Sequence, residues 1–349
     1  MDTKNIAVVM GGCSPEHAIS MESGRAVLGA LDERLFNGRA VVISPDGSWA
    51  VLDENSPDLA EGSIRDRGQT PEAAVSALRK WGVDLFFLAL HGPGGEDGKI
   101  QGFFDTLGFR YTASGVHASA LAMDKPLTKT FLAAHGVKTP RSLVITRKAW
   151  RREREETADN ILSAIDVPCF VKSVRLGSSV GVLPAADRQT LCAAIDTVLD
   201  VSPDSVMIER SIKGREISCP VLGNAQAPLR LLPLVEIKPI TASFFDYGAK
   251  YEPGGAEEIC DPPLDASLAG EIRTIARLVH NLIGARGFSR SDFIVDGEGI
   301  WFLEVNTIPG MTPQSIFPRS AERDRLRFTD LVTTIIRLEL EEENLEREE

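Results

Sequence analysis

Short apolar runs punctuated by glycine and proline dominate the first third of the chain: Ile6 to Met10 (IAVVM), Ala40 to Ile43 (AVVI) and Asp84 to Leu90 (DLFFLAL). Runs that are apolar at successive positions suit parallel strands covered on both faces better than half-exposed ones, whose side chains alternate. After the first run come Gly11-Gly12 and then Ser14-Pro15-Glu16, which carries the chemistry of a helix start: an N-cap hydroxyl, a proline at the first helical position and an early carboxylate. Strand, glycine turn and helix in that order predict an open parallel α/β unit over residues 1–114, with ligands at the carboxyl ends of its strands.

The pattern changes twice further on. Ala149 to Ile165 reads as a charged amphipathic helix, and Cys169 to Lys172 as a strand running into SVRLGSSVGV, which places a second α/β unit over residues 115–206. From Ser205 the strands come closely spaced (SVMIER, EISCPVL, LRLLPLVEI). An irregular Pro/Gly segment (Lys238 to Pro263), a helix (Ala266 to Ile283) and the strands Phe288 to Val295 and Ile300 to Val305 follow. That is an α+β unit over residues 207–349, so the fold class is α/β and α+β in three domains.

Composition narrows the function classes. A formal net charge of −12 disfavours nucleic acid and anionic membranes, both of which need a broad basic face, so a bound polyanion would require a few converging cations and a metal. No apolar run reaches the length of about 18 residues that spans a bilayer, and the chain enters a strand pattern without a cleavable leader; a cytoplasmic protein is the expectation. The five cysteines show neither CxxC pairing nor metal-ligand spacing, which points to reduced thiols rather than disulfides or zinc.

Three segments carry candidate chemistry. HGPGGEDGKIQG (91–102) follows a strand, but Pro93 and Ile100 break the Walker A pattern and Asp97 breaks GxGxxG. Its glycines fit either a close approach to a ligand or a structural turn. In the second segment Lys172 ends a strand before a hydroxyl-rich loop whose amides could wrap phosphates; a plain surface loop is the alternative. The third is Arg290-x-Asp292 and Glu304-x-Asn306 on neighbouring strands, joined at Asp296-Gly297-Glu298-Gly299. Period-two spacing puts each pair on one sheet face. Two carboxylates, an amide oxygen and an arginine suit Mg²⁺ already carrying phosphate, against the alternative of an exposed face of paired charges. Of the histidines, only His91 sits where a site residue belongs.

Taken together, GGCSPEHAIS (11–20), HGPGGEDGKIQG, MDK (123–125), VKSVRLGSSVGV (171–182), GREI (214–217), FFDYGAKY (244–251), GFSRSDF (287–293) and FLEVNTIPGMTPQS (302–315) resemble the ordered signatures of D-alanine:D-alanine ligases, from about residue 5 to residue 330. The resemblance implies a three-domain ATP-grasp fold. It also implies ATP-dependent ligation of two D-alanines through a D-alanyl phosphate, for peptidoglycan precursor synthesis, with D-alanine:D-lactate or D-alanine:D-serine ligation as the neighbouring specificities. The cofactors it implies are ATP and two Mg²⁺ ions, with Mn²⁺ able to substitute, and the usual assembly is a homodimer.

Carried over position by position, Lys125 and Lys172 match ATP-contacting lysines, Glu209, Arg210 and Ile212 the adenine hinge, and Glu216 the ribose carboxylate; Ser179 falls in the phosphate loop. Asp292, Glu304 and Asn306 match the metal ligands, and Arg290 the arginine at the transferring phosphoryl group. Glu16, Ser178 and Tyr251 match the group around the first D-alanine. His91, Gly310, Ser315 and Ile316 match the remaining substrate positions, and Lys250 a phosphate-contacting lysine. The loops 173–180 and 240–255 would close over the intermediate. Departures are Phe245 and Gly248 in the FFDYGAKY loop and Arg210-Ser211 in the hinge.

Overall fold

A computed structural model describes residues 3–52, 61–177, 181–224, 228–239 and 256–346. The first sheet is built from β1 (Lys4–Gly11), β2 (Phe36–Ile43), β3 (Trp49–Leu52) and β4 (Leu85–Leu88) in the order β3-β2-β1-β4. β1 lies parallel to β2 and β4, while β3 is an antiparallel edge. Ile6 to Met10 and Leu85 to Leu88 are wholly buried, as continuous apolar runs require. α1 (His17–Gly29), α2 (Glu61–Asp66), α3 (Pro71–Trp81) and α4 (Lys99–Leu107) follow in the same stretch of chain. Residues from the far end of the chain, including Phe317, Leu331 and Ile335, join this same core.

α5 (Val116–Met123) and α6 (Lys125–Ala134) lead into the second sheet. Asp124 caps α6 by accepting from the Leu127 amide at 3.2 Å, and Pro126 follows in its first turn, which fixes Lys125 at the head of the helix. The second sheet joins β5 (Ser142–Thr146), β6 (Cys169–Ser173), β7 (Val182–Ala185) and β8 (Ser205–Arg210) in the antiparallel order β5-β8-β6-β7. The helix expected over 149–165 is two helices, α7 (Arg147–Arg152) and α8 (Arg154–Ala164), broken where Glu153 leaves helical geometry at φ −139° and ψ 56°. α9 (Arg188–Val201) opens on a capping box formed by Asp187 and Thr190.

The third sheet runs β12-β11-β9-β13-β14, every neighbouring pair antiparallel, with β10 on β9. Its strands are β9 (Arg215–Leu222), β10 (Arg230–Leu231), β11 (Val235–Pro239), β12 (Ala256–Cys260), β13 (Phe288–Asp296) and β14 (Gly299–Asn306). LRLLPLVEI, read as one strand, is divided: Pro233 lacks the N–H that a ladder needs, and β10 ends before it. α10 (Ala266–Leu282) covers one face, where Ile217, Cys219, Val221, Phe293 and Phe302 meet Ile272, Ala276 and Val279. The opposite face carries Glu216, Ser218, Arg290 and Asp292 alongside Ile237 and Ile294. α11 (Ile316–Arg323) and α12 (Phe328–Glu346) close the fold.

Phe104 tests where the first core takes its strength. It is fully buried and stacked on Phe86 with ring centroids 4.2 Å apart. Phe104→Ala should cost about 3–5 kcal/mol, read as a lower urea midpoint. Leu127→Ala, at a side chain 55% exposed, should leave the midpoint in place.

Candidate active site

The second and third sheets face each other across a cavity of about 780 Å³, a size that accommodates a nucleotide. Strand alternation supplies its walls. On β6 and β8, Phe170, Lys172 and Glu209 share a face, because Phe170 pairs with Glu209 in the ladder. On the third sheet Glu216, Ile237, Ile294, Asp292 and Arg290 point the same way. Lys125, Arg210 and Ile212 complete the lining named from the sequence.

β14 needs an irregularity to contribute. Asp292 lies opposite Glu304 and Arg290 opposite Asn306, but beyond Asp292 the register slips so that Phe293 pairs with Phe302. The extra residue, Leu303, reverses which side faces which way, so Glu304 turns to the cleft while Phe302 remains in the core beneath α10.

Charges in this cleft are held by one another. The Arg290 guanidinium grips Asp292 with both arms, donating at 2.9 and 2.7 Å. Ser218 donates to the same carboxylate at 2.6 Å and the Asn306 amide at 3.2 Å. Burial alone lowers the pKa of Arg290, but Asp292 outweighs it and holds the guanidinium charged. Lys125 donates to the Leu176 carbonyl at 2.7 Å and lies 3.5 Å from Glu304. Lys129 and Lys172 both pair with the buried carboxylate of Glu209. Burial depresses the pKa of Lys129 despite that pairing, whereas Lys172 is held above its ordinary value because Glu209 outweighs burial.

Among the described residues no three His, Cys, Asp or Glu side chains converge; the oxygen donors that β13 and β14 bring together here are Asp292, Glu304 and the amide of Asn306. That hard, all-oxygen set on one sheet face fits Mg²⁺.

A smaller cavity of about 230 Å³ adjoins the first across Arg290, which lines both. Glu16, His91, Gly310, Ser315 and Ile316 line it. α1 starts at His17, two residues later than Ser14-Pro15 suggested. Ser14 serves the preceding turn instead, accepting from the Glu16 amide and donating to the His91 carbonyl. Glu16 then makes no cap. Its buried carboxylate lies against two glycines: a β-carbon on Gly92 would stand 2.2 Å from it and one on Gly177 3.1 Å. Gly92 also has φ +71°, so glycine is required there twice over. His91 is anchored through Nε2 to Ser23 Oγ at 2.9 Å. Ser315 folds its hydroxyl back on Thr312 and over Gly310, at the head of α11.

Two independent family models cover this arrangement: residues 5–114 match the one described as D-ala D-ala ligase N-terminus, and residues 131–337 the one described as D-ala D-ala ligase C-terminus. The chain belongs to the D-alanine–D-alanine ligase family. The D-alanine--D-alanine ligase of Desulforudis audaxviator is 37% identical over 339 residues, covering 96% of this chain and 98% of that protein. That of Chelativorans sp. is 37% identical over 342 residues, with the same coverage. The solved D-alanine-D-alanine ligase of Coxiella burnetii superposes with a TM-score of 0.82 at 28% identity, over 100% of this chain and 97% of that one. The VanG D-Ala:D-Ser ligase of Enterococcus faecalis gives 0.80 at 28%, over 97% and 99%. The ATP-grasp fold read from the motifs is therefore the fold of this family member.

The structure gathers the sequence-derived residues into these two adjoining cavities. Ser178, Ser179, Lys250 and Tyr251 lie outside the described residues. Three participants escaped the sequence reading. Glu96 lines the smaller cavity and accepts from the Gly92 amide at 2.8 Å, yet reads in HGPGGEDG as one acid in a polar turn. Lys129 and Ser218 sit in helix and strand patterns that mark them only as polar residues on a mostly apolar background. For Lys129, the signal available was a lysine one helical turn after Lys125.

Burial first, and then the neighbouring Glu16, push the Glu96 carboxyl up from its ordinary 4.5 to about 8. A carboxyl raised in this way binds its proton more tightly in the folded protein, so its contribution is full below pH 4.5 and is lost as pH rises towards 8. Glu96→Gln should therefore raise the thermal midpoint relative to the parent near pH 8 and lose that advantage near pH 4.5. A midpoint difference that stays constant across this range would contradict the buried-pair account.

Proposed function

We propose that the chain joins two D-alanines to D-alanyl-D-alanine at the expense of ATP, as an ADP-forming ligase working through a D-alanyl phosphate. The observation that carries this reading is the shared wall: Arg290 borders both the nucleotide-sized cavity and the smaller one beside Glu16 and His91. Near-full-length likeness to relatives named D-alanine--D-alanine ligase supports it. Residues 1–114, 115–206 and 207–349 would be its three domains, with the second boundary moved past 206 to Arg210 so that β8 stays whole in the second sheet, and a homodimer its assembly. No helix among the described residues is long and apolar enough to cross a membrane. A cytoplasmic place in peptidoglycan precursor synthesis completes the proposal.

The chemistry follows from what each residue can do. ATP enters the larger cavity, its adenine on the backbone of Glu209 to Ile212 and its ribose at Glu216. Lys125 and Lys172 meet the phosphates, joined in this proposal by Ser179 and Lys250. The first D-alanine places its ammonium at Glu16, with Ser178 and Tyr251 as partners. A carboxylate is a poor electrophile, so its oxygen displaces ADP from the γ-phosphorus, giving an acyl phosphate.

Arg290 neutralises charge as it moves between the two cavities. Asp292, Glu304 and Asn306 would hold Mg²⁺, which supplies further neutralisation of the phosphates when bound. The second D-alanine, seated by Ser315 and Ile316 beside His91, presents a neutral amine to the carbonyl. The Gly310 amide and Arg290 hold the developing oxyanion, and phosphate leaves with the former carboxylate oxygen.

Arg290→Ala should slow turnover by roughly two to three decades, the scale of losing one oxyanion donor. Its loss also strands Asp292, so folding must be verified by circular dichroism. An unchanged kcat in a folded variant removes Arg290 from the mechanism. Asp292→Asn and Glu304→Gln should abolish turnover and shift the Mg²⁺ dependence. Wild-type activity in either folded variant contradicts the metal assignment.

For specificity, mass spectrometry of products from equimolar D-alanine with D-serine or D-lactate at pH 7 should give mainly D-alanyl-D-alanine. A predominant D-alanyl-D-serine or D-alanyl-D-lactate product would move the chain to the corresponding specificity.

A further inference from the structure

Lys129 has no part in the reaction described above, yet its ammonium is almost completely enclosed, with 4% of the side chain exposed. It does not line the nucleotide cavity, while Glu209 and Lys172 do. Its Nζ lies 2.6 Å from Glu209 Oε2 and donates to the Phe302 carbonyl at 3.3 Å. The other oxygen of Glu209, on a side chain 2% exposed, holds Lys172. One enclosed carboxylate thus serves two lysines, one facing the nucleotide space and one behind it.

Such an arrangement has an energetic consequence. Where Lys172 moves toward a phosphate oxygen, it loosens its hold on Glu209. With no other counter-ion, that step would strand a buried carboxylate, a loss on the scale of breaking a buried ion pair. Lys129 stands on the far oxygen and keeps the charge compensated throughout. Its site on α6, four residues after Lys125 and bonded to the Phe302 carbonyl on β14, ties it to rigid elements rather than to a loop.

We infer that Lys129 is a positioning residue for the nucleotide site: it neutralises Glu209 permanently, so that Lys172 can exchange that carboxylate for a phosphate group. The inference rests on the ATP reading given under Proposed function, and its test separates the two. Isothermal titration calorimetry would compare a non-hydrolysable ATP analogue with adenosine on the parent chain, Lys129→Met and Lys129→Arg.

On the inference, Lys129→Met weakens the analogue by roughly ten-fold or more, the scale of one charge-assisted hydrogen bond. Adenosine binding changes little, and Lys129→Arg recovers most of the loss. If the parent chain binds neither ligand, the ATP reading fails. If the parent binds both and Lys129→Met weakens both equally, or neither, Lys129 is only structural and the inference is overturned.

Should Lys129→Met not fold, Glu209→Gln and the double variant Glu209→Gln/Lys129→Met carry the comparison. Once the carboxylate is neutral, the residue at 129 should no longer affect analogue affinity, and a persistent difference overturns the inference.

Discussion

The whole cleft depends on how Asp292 is held. Four donors, two from Arg290 and one each from Ser218 and Asn306, converge on one carboxylate that is almost fully buried. Moving an isolated ion into such a place costs several kcal/mol, so the charge is tolerable only because its partners arrive on neighbouring strands in fixed register. Ser218 comes from β9, Arg290 and Asp292 from β13, and Asn306 from β14. The same rule governs Lys129, Glu209 and Lys172 across the cavity. Ligand binding is then an exchange of partners within a compensated set, which leaves few groups to be reorganised when charge moves.

The polar face could exist because the opposite face is so thoroughly apolar. Ile217, Cys219 and Val221 alternate with Glu216 and Ser218 along β9, and the odd set packs beneath α10. A one-residue slip of β9 or β13 would drive Glu216 or Asp292 into that core. On β14 the slip is built in at Leu303, which lets a single strand deliver Phe302 to the core and Glu304 to the cleft.

Much of this was legible in the sequence. Continuous apolar runs announced the parallel sheet, and the period-two spacing of Arg290, Asp292, Glu304 and Asn306 announced a polar face. Alternation does not announce a bulge, because the extra residue is recognised only when the partner strand is in place. The break at Glu153 was hidden for a related reason: a charged helix keeps its pattern across one non-helical residue. In sequence Glu209 matches the adenine hinge together with Arg210 and Ile212. Its side-chain role joins positions 129, 172 and 209, which no local pattern relates. Glu96 was obscure because a glycine-rich polar turn looks alike whether its acid meets water or a second carboxylate, and only Gly92, wedged between Glu16 and Glu96, distinguishes the two.

The proposed reaction turns on transfer of a carboxylate oxygen to phosphorus between the two cavities that Arg290 joins. D-Alanine labelled with ¹⁸O in its carboxylate tests this directly, with the released inorganic phosphate and the dipeptide analysed by mass spectrometry. An acyl phosphate requires one labelled oxygen in the phosphate for each peptide bond formed, with release of both products dependent on ATP. Unlabelled phosphate accompanying dipeptide formation would contradict the mechanism and the joint use of the two cavities on which it rests.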